Sequence, residues 1–186
     1  DKIEWRYRYV DIFGDVENKM SSQWGEKGGF DGFAKHVVNA ALPFADAIIN
    51  TDIWHKTKPT SSANAHLVLK AAELVFSHKQ SIELALLFRQ AFFIEAKDIS
   101  RLDVLFSIVQ NAGLDVELIK VSLNDGRAMA ALMNNYQQAK SQNIKGSPSY
   151  IIDNGRQVLY GNVGYRVLEA NIEEQLKAPI NEASWC

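Results

Sequence analysis

The stretch Lys145–Leu176, KGSPSYIIDNGRQVLYGNVGYRVLEANIEEQL, constrains the fold more than any other part of the chain. Gly146, Ser147 and Pro148 break a long helical pattern, and Tyr150, Ile151 and Ile152 then supply the aromatic and β-branched run of a buried strand. Asp153, Asn154 and Gly155 carry hairpin turn chemistry, so Gln157–Tyr160 reads as the return strand. Gly161 and Gly164 bracket a short loop. After it, Val167, Leu168, Ile172 and Leu176 recur at helical spacing, with Glu169, Glu173 and Glu174 on the other side. A proline at the mouth of a strand cannot donate to the ladder and is confined to edges, first positions or bulges. Two readings of Gly146-Ser147-Pro148-Ser149 follow. In one, a trans proline ends a helix and opens an edge strand. In the other, a cis proline holds the Ser147 backbone exposed, so that its N–H and C=O pair with an extended peptide or a glutathione-like thiol.

The chain ahead of this stretch is mainly helical. Ile3–Ile12 alternates strictly, with Ile3, Trp5, Tyr7 and Tyr9 against Glu4, Arg6 and Arg8, which predicts a strand with one wet face. Met20 and Trp24 suggest a short helix before the glycines at 25, 28 and 29, and Phe33, Val37, Val38 and Ala41 a better one that stops before Pro43. Ala45–His55 reads as a short strand or an extended link. From Pro59, one of Thr60, Ser61 and Ser62 caps a helix to about Ser77, and Ser81 caps a second to about Lys97. That second helix carries Leu84, Leu87, Phe88, Phe92 and Phe93 around most of its circumference, which puts it at the centre of a helical subdomain. Ser100 to Asp103 resembles a capping box ahead of Leu102, Leu105, Ile108 and Val109, with Gly113 as the stop. Asp115 opens a short helix, and Arg127–Gln142 a long one with Met129, Leu132, Met133 and Tyr136 facing inward. The order is strand, helical block, strand, strand, helix: an α/β frame with the helices of residues 56–142 inserted into it.

Composition narrows the chemistry. A formal net charge of -2, without a basic cluster, argues against nucleic acid as a partner. No apolar run approaches the ~18 residues of a membrane helix. Cys186 is the only cysteine, which excludes an internal structural disulfide and makes a reducing, cytoplasmic compartment the expectation. His36, His55, His66 and His78 contain no pair at the i, i+4 spacing of a helical metal site, so no metal is expected. Nucleophile-elbow, phosphate-loop and dinucleotide glycine patterns are all missing.

Gly146-Ser147-Pro148-Ser149-Tyr150 followed by Tyr160-Gly-Asn-Val-Gly-Tyr-Arg-Val-Leu-Glu closely resembles the DsbA-like branch of the thioredoxin fold, which includes the 2-hydroxychromene-2-carboxylate isomerases and kappa-class glutathione transferases. Ile3–Asp15, Lys58–His66 and Ala183–Cys186 are similar to the same group. The resemblance implies α/β architecture: a thioredoxin-like sheet from 1–55 and 143–186 with an inserted all-helical subdomain at 56–142. It also implies a cis Pro148, substrate binding at Gly146, Ser147, Pro148 and Ser149, and no resident cofactor, with glutathione as a co-substrate. Members begin with a strand, an active-site turn carrying Cys-x-x-Cys, a lone Cys or Ser, and a helix. This sequence begins at the strand that follows, which is expected of a fragment or processed form with its nucleophile upstream. Cys186 is then either a terminal thiol without a role or an accessory thiol folding back towards Pro148. The expected function is thiol-disulfide oxidoreduction on protein thiols. The alternatives are a glutathione-dependent isomerase or transferase acting on glutathione conjugates, and a non-catalytic binding protein. A homodimer is the assembly to test for.

Overall fold

The computed structural model describes residues 3–177. In chain order they form helices α1 (Val16–Trp24), α2 (Gly29–Ala41), α3 (Ala63–Val75), α4 (His78–Phe93), α5 (Leu102–Asn111), α6 (Val116–Asn124) and α7 (Arg127–Ser141), strands β1 (Ser149–Ile152) and β2 (Gln157–Tyr160), and helix α8 (Tyr165–Leu176). Two compact units emerge: residues 11–136, and the N-terminal stretch to Val10 together with the chain from Gln137 onward.

The helical unit is held by burial. In it α3 packs against α4, α5 and α6, burying Val68, Leu69, Ala71 and Ala72 of α3 with Leu84, Phe88, Leu105, Val109 and Ile119. A second, aromatic cluster joins α1, α2 and the end of α4: Val16, Met20, Phe33, Ala34, Ile53, Trp54 and Phe92 are its buried members. Trp54 meets Phe33 and Phe92 edge-on at ring-centroid distances of 4.9 and 5.4 Å, the geometry that aromatic quadrupoles favour.

Gly32 shows how closely this layer is built. A Cβ there would fall on the Lys27 carbonyl group, 2.7 Å from its carbon. Because that neighbour is backbone, Gly32→Ala is expected to destabilise the protein by ~1–3 kcal/mol through overpacking, although alanine is the better helix former. Urea unfolding checks this, and a stabilised variant would contradict it.

Several helix starts differ from expectation. Ser77, not Ser81, caps α4: its side chain accepts from the Gln80 N–H at 3.1 Å. Ser81 lies inside the helix, buried, and donates to the Leu69 carbonyl at 2.8 Å, tying α4 to α3. Arg101 rather than Ser100 precedes α5, and Ser100 turns back to Asp98. On α7, Ala128, Leu132 and Asn135 are buried, whereas Met129 and Met133 are 46% and 39% exposed, one step round from the face assigned to them. The stretch Ile3–Ile12 forms no strand. Alternation prepares a two-faced ribbon, but a strand exists only through a hydrogen-bonded neighbour, and none pairs with it among the described residues.

His66 of α3 faces Tyr136 of α7, with Nδ1 3.3 Å from the hydroxyl. Burial drives the imidazole down to about 4, opposed by the charge of Asp11. The Tyr136 hydroxyl is pushed up to about 12, by burial first and by Asp11 second. A hydroxyl that keeps its proton and an imidazole that stays neutral form a matched donor and acceptor.

Candidate functional site

The candidate site lies in the hairpin unit and begins with the turn that leads into β1. The Ser147–Pro148 peptide bond is cis. Beyond it β1 and β2 pair antiparallel, with Ser149 opposite Tyr160, Tyr150 opposite Leu159, Ile151 opposite Val158 and Ile152 opposite Gln157. The connection is tight because Asp153, Asn154 and Gly155 all adopt positive φ (50°, 54° and 99°), a conformation for which Asp, Asn and Gly are the natural choices.

Two hydrogen bonds fix the turn from below. The Ser149 hydroxyl donates to the Gly146 carbonyl at 2.8 Å, and the Gly161 N–H donates to the Pro148 carbonyl at 2.9 Å. Gly146 is buried, and the hydroxyl end of Tyr160 occupies the space a side chain there would need. A Cβ at that position would come within 3.0 Å of Tyr160 Cε2 and 3.1 Å of Cζ, besides meeting the hydroxyl oxygen. Ser147 and Pro148 are exposed. The Ser147 N–H and C=O enter no backbone hydrogen bond among the described residues. Such an arrangement can offer one donor and one acceptor, held at fixed positions at the head of an antiparallel ladder, to an extended chain.

The turn thus brings Gly146, Ser147, Pro148 and Ser149 together. Cys186 lies outside the described residues. Tyr160 and Gly161 were read from the sequence only as a strand end and a loop. The signal that could have found them is hairpin register: the short Asp153–Arg156 connection puts Tyr160 across from Ser149, and hence over the turn. Among the described residues no group of three or more His, Cys, Asp or Glu could hold a metal ion, and no helix is long and apolar enough to cross a membrane.

The sequence profile of a family described as Thioredoxin matches residues 2–169. The ClpXP adapter protein SpxH of Halalkalibacterium halodurans is 30% identical over 103 residues, which is 55% of this chain but only 33% of that protein. The cytosolic disulfide reductase DsbM from Pseudomonas aeruginosa, solved with GSH, superposes with a TM-score of 0.68 at 16% identity, covering 92% of this chain and 84% of that one. A probable DsbA oxidoreductase from Streptomyces coelicolor gives 0.66 at 17% identity, covering 96% and 73%.

Proposed function

Because the chain belongs to the thioredoxin family and has the fold of its DsbA-like members, we propose that the turn at Gly146–Ser149 is the substrate-presenting half of a thiol-disulfide oxidoreductase site. The single observation that carries this reading is the Ser147 backbone, exposed at the head of the β1–β2 ladder and entering no backbone hydrogen bond among the described residues. A substrate strand laid along it donates to the Ser147 carbonyl and accepts from its N–H, which sets one substrate sulfur in line for attack. The attacking thiolate forms a mixed disulfide with that sulfur and releases the other as a thiolate. Cys186 is the only cysteine in the sequence, and this reading treats it as an accessory thiol, with the attacking thiolate supplied to the turn by another segment.

DsbM solved with GSH supports glutathione as a ligand, and in this reading its cysteinyl backbone takes the place of the substrate strand. SpxH, named as an adapter, supports a different use of the surface, in which a protein segment is held without chemistry.

Amide NMR separates these readings. Titration with S-methylglutathione and, separately, with a cysteine-free extended peptide is expected to move Gly146, Ser147, Ser149 and Gly161. Movement with the tripeptide favours the thiol chemistry, and movement with the long peptide alone favours the adapter reading. Silence at all four with both ligands overturns the site.

A further inference from the structure

The helical unit contains a concavity, about 360 Å³ in volume, lined by Ala34, Lys35, Val38 and Asn39 of α2 and by Thr51 and His55 of the loop that follows. That loop is firmly built. The Asn50 N–H donates to the Phe93 carbonyl at 2.7 Å, the Asn50 side chain donates to Ile94, and the Thr57 hydroxyl donates to Ala96 at 2.7 Å. Ile53 and Trp54, between the two lining residues, are buried in the aromatic cluster. Trp54 sits at φ 66°, a left-handed conformation that costs a bulky residue ~1–3 kcal/mol and is found where surrounding structure enforces it, often near functional sites.

We propose that this cavity binds a small monocarboxylate carrying a short aliphatic chain. Lys35 has no ion-pair partner among the described residues, and the side chains of Asn39 and Thr51 have no hydrogen-bond partner there. Three donors, one of them a cation, thus line one concavity without a partner among the described residues. The His55 ring is held by Asp31, with Nδ1 2.8 Å from the carboxylate. Lys35, one turn after Asp31 on α2, forms no ion pair with it or with any other acid among the described residues. Ala34 and Val38 supply the apolar wall for the aliphatic part. A volume near the lower end for ligand pockets suits a small molecule rather than a nucleotide. A divalent cation would meet the Lys35 ammonium.

The test is a titration with 4-methylpentanoate followed by amide NMR, with 4-methylpentanamide as the uncharged shape control. Saturable movement of residues 34–39 and 51–55 is expected, with binding at least fivefold weaker for the amide and for Lys35→Met, and weaker also for Thr51→Val. Both substitutions lie on accessible positions, and an unchanged Trp54 indole signal verifies the fold. No movement with the acid, equal binding of acid and amide, or full affinity in Lys35→Met would each overturn the proposal.

Discussion

Phe92→Ala is expected to lower stability by ~3–5 kcal/mol, the range for removing a buried aromatic ring without collapse of the site around it. Phe92 is 4% exposed and belongs to the aromatic cluster, its ring 5.4 Å from Trp54 and 5.0 Å from Phe93. Trp54 is held in its left-handed conformation between the rings of Phe33 and Phe92, so the cavity cannot be filled by a simple shift of the indole. Urea unfolding should show a lower midpoint at unchanged slope. Such a loss is a large part of the 5–15 kcal/mol typical of a domain. Phe92→Leu, which keeps most of the volume, therefore provides a milder member of the series. A loss below ~1 kcal/mol for the alanine variant would mean that the ring is not central. Phe93, only half-buried, should cost less.

The second large effect is a pH dependence that belongs to His66. Its folded-state value is lowered from 6.5 to about 4, first by burial. Between those values the unfolded chain binds a proton that the folded protein refuses. The contribution is therefore fully present above about pH 6.5 and is lost as pH falls towards 4. At 1.36 kcal/mol per unit the whole window amounts to about 3 kcal/mol. His66→Gln keeps a polar group beside Tyr136 but cannot take up the proton. Stability measured from pH 7.5 to 4.5 should fall less steeply in the variant, and parallel curves would refute the assignment. Other groups also titrate over this range, so the difference between the two curves, not either slope alone, carries the test.

These effects rest on features that differ in how far the sequence reveals them. The hairpin was legible because its instructions are local: Asp153-Asn154-Gly155 sets the turn, and the residues on either side set the ladder. At Ser147–Pro148 the local sequence marked the break but left cis and trans open, and the family resemblance alone implied the cis bond that is found; its cover by Tyr160 depends on register. The start of α4 offered two serines four residues apart, and a tertiary contact, the Ser81 hydroxyl on Leu69, decided between them. On α7 the methionines and the Ala128–Leu132–Asn135 face are adjacent stripes, and hydrophobicity alone picks the wrong one because the buried stripe contains a polar residue. Ile3–Ile12 failed for a different reason, since alternation describes one strand and a sheet requires two. The cavity beside α2 left no sequence signal, because Lys35, Asn39, Thr51 and His55 form no motif and are gathered by a loop pinned to Phe93 and Ala96.

The contact between His66 and Tyr136 has one more consequence. Asp11 and Tyr136 are the first and last residues of the helical unit, and the charge of Asp11 is felt at both His66 and Tyr136. The unit is thus entered and left at one doorway, with its two ends brought together around a single imidazole. A unit with its ends arranged this way can be closed into a circle by a few added residues without stretching anything inside it.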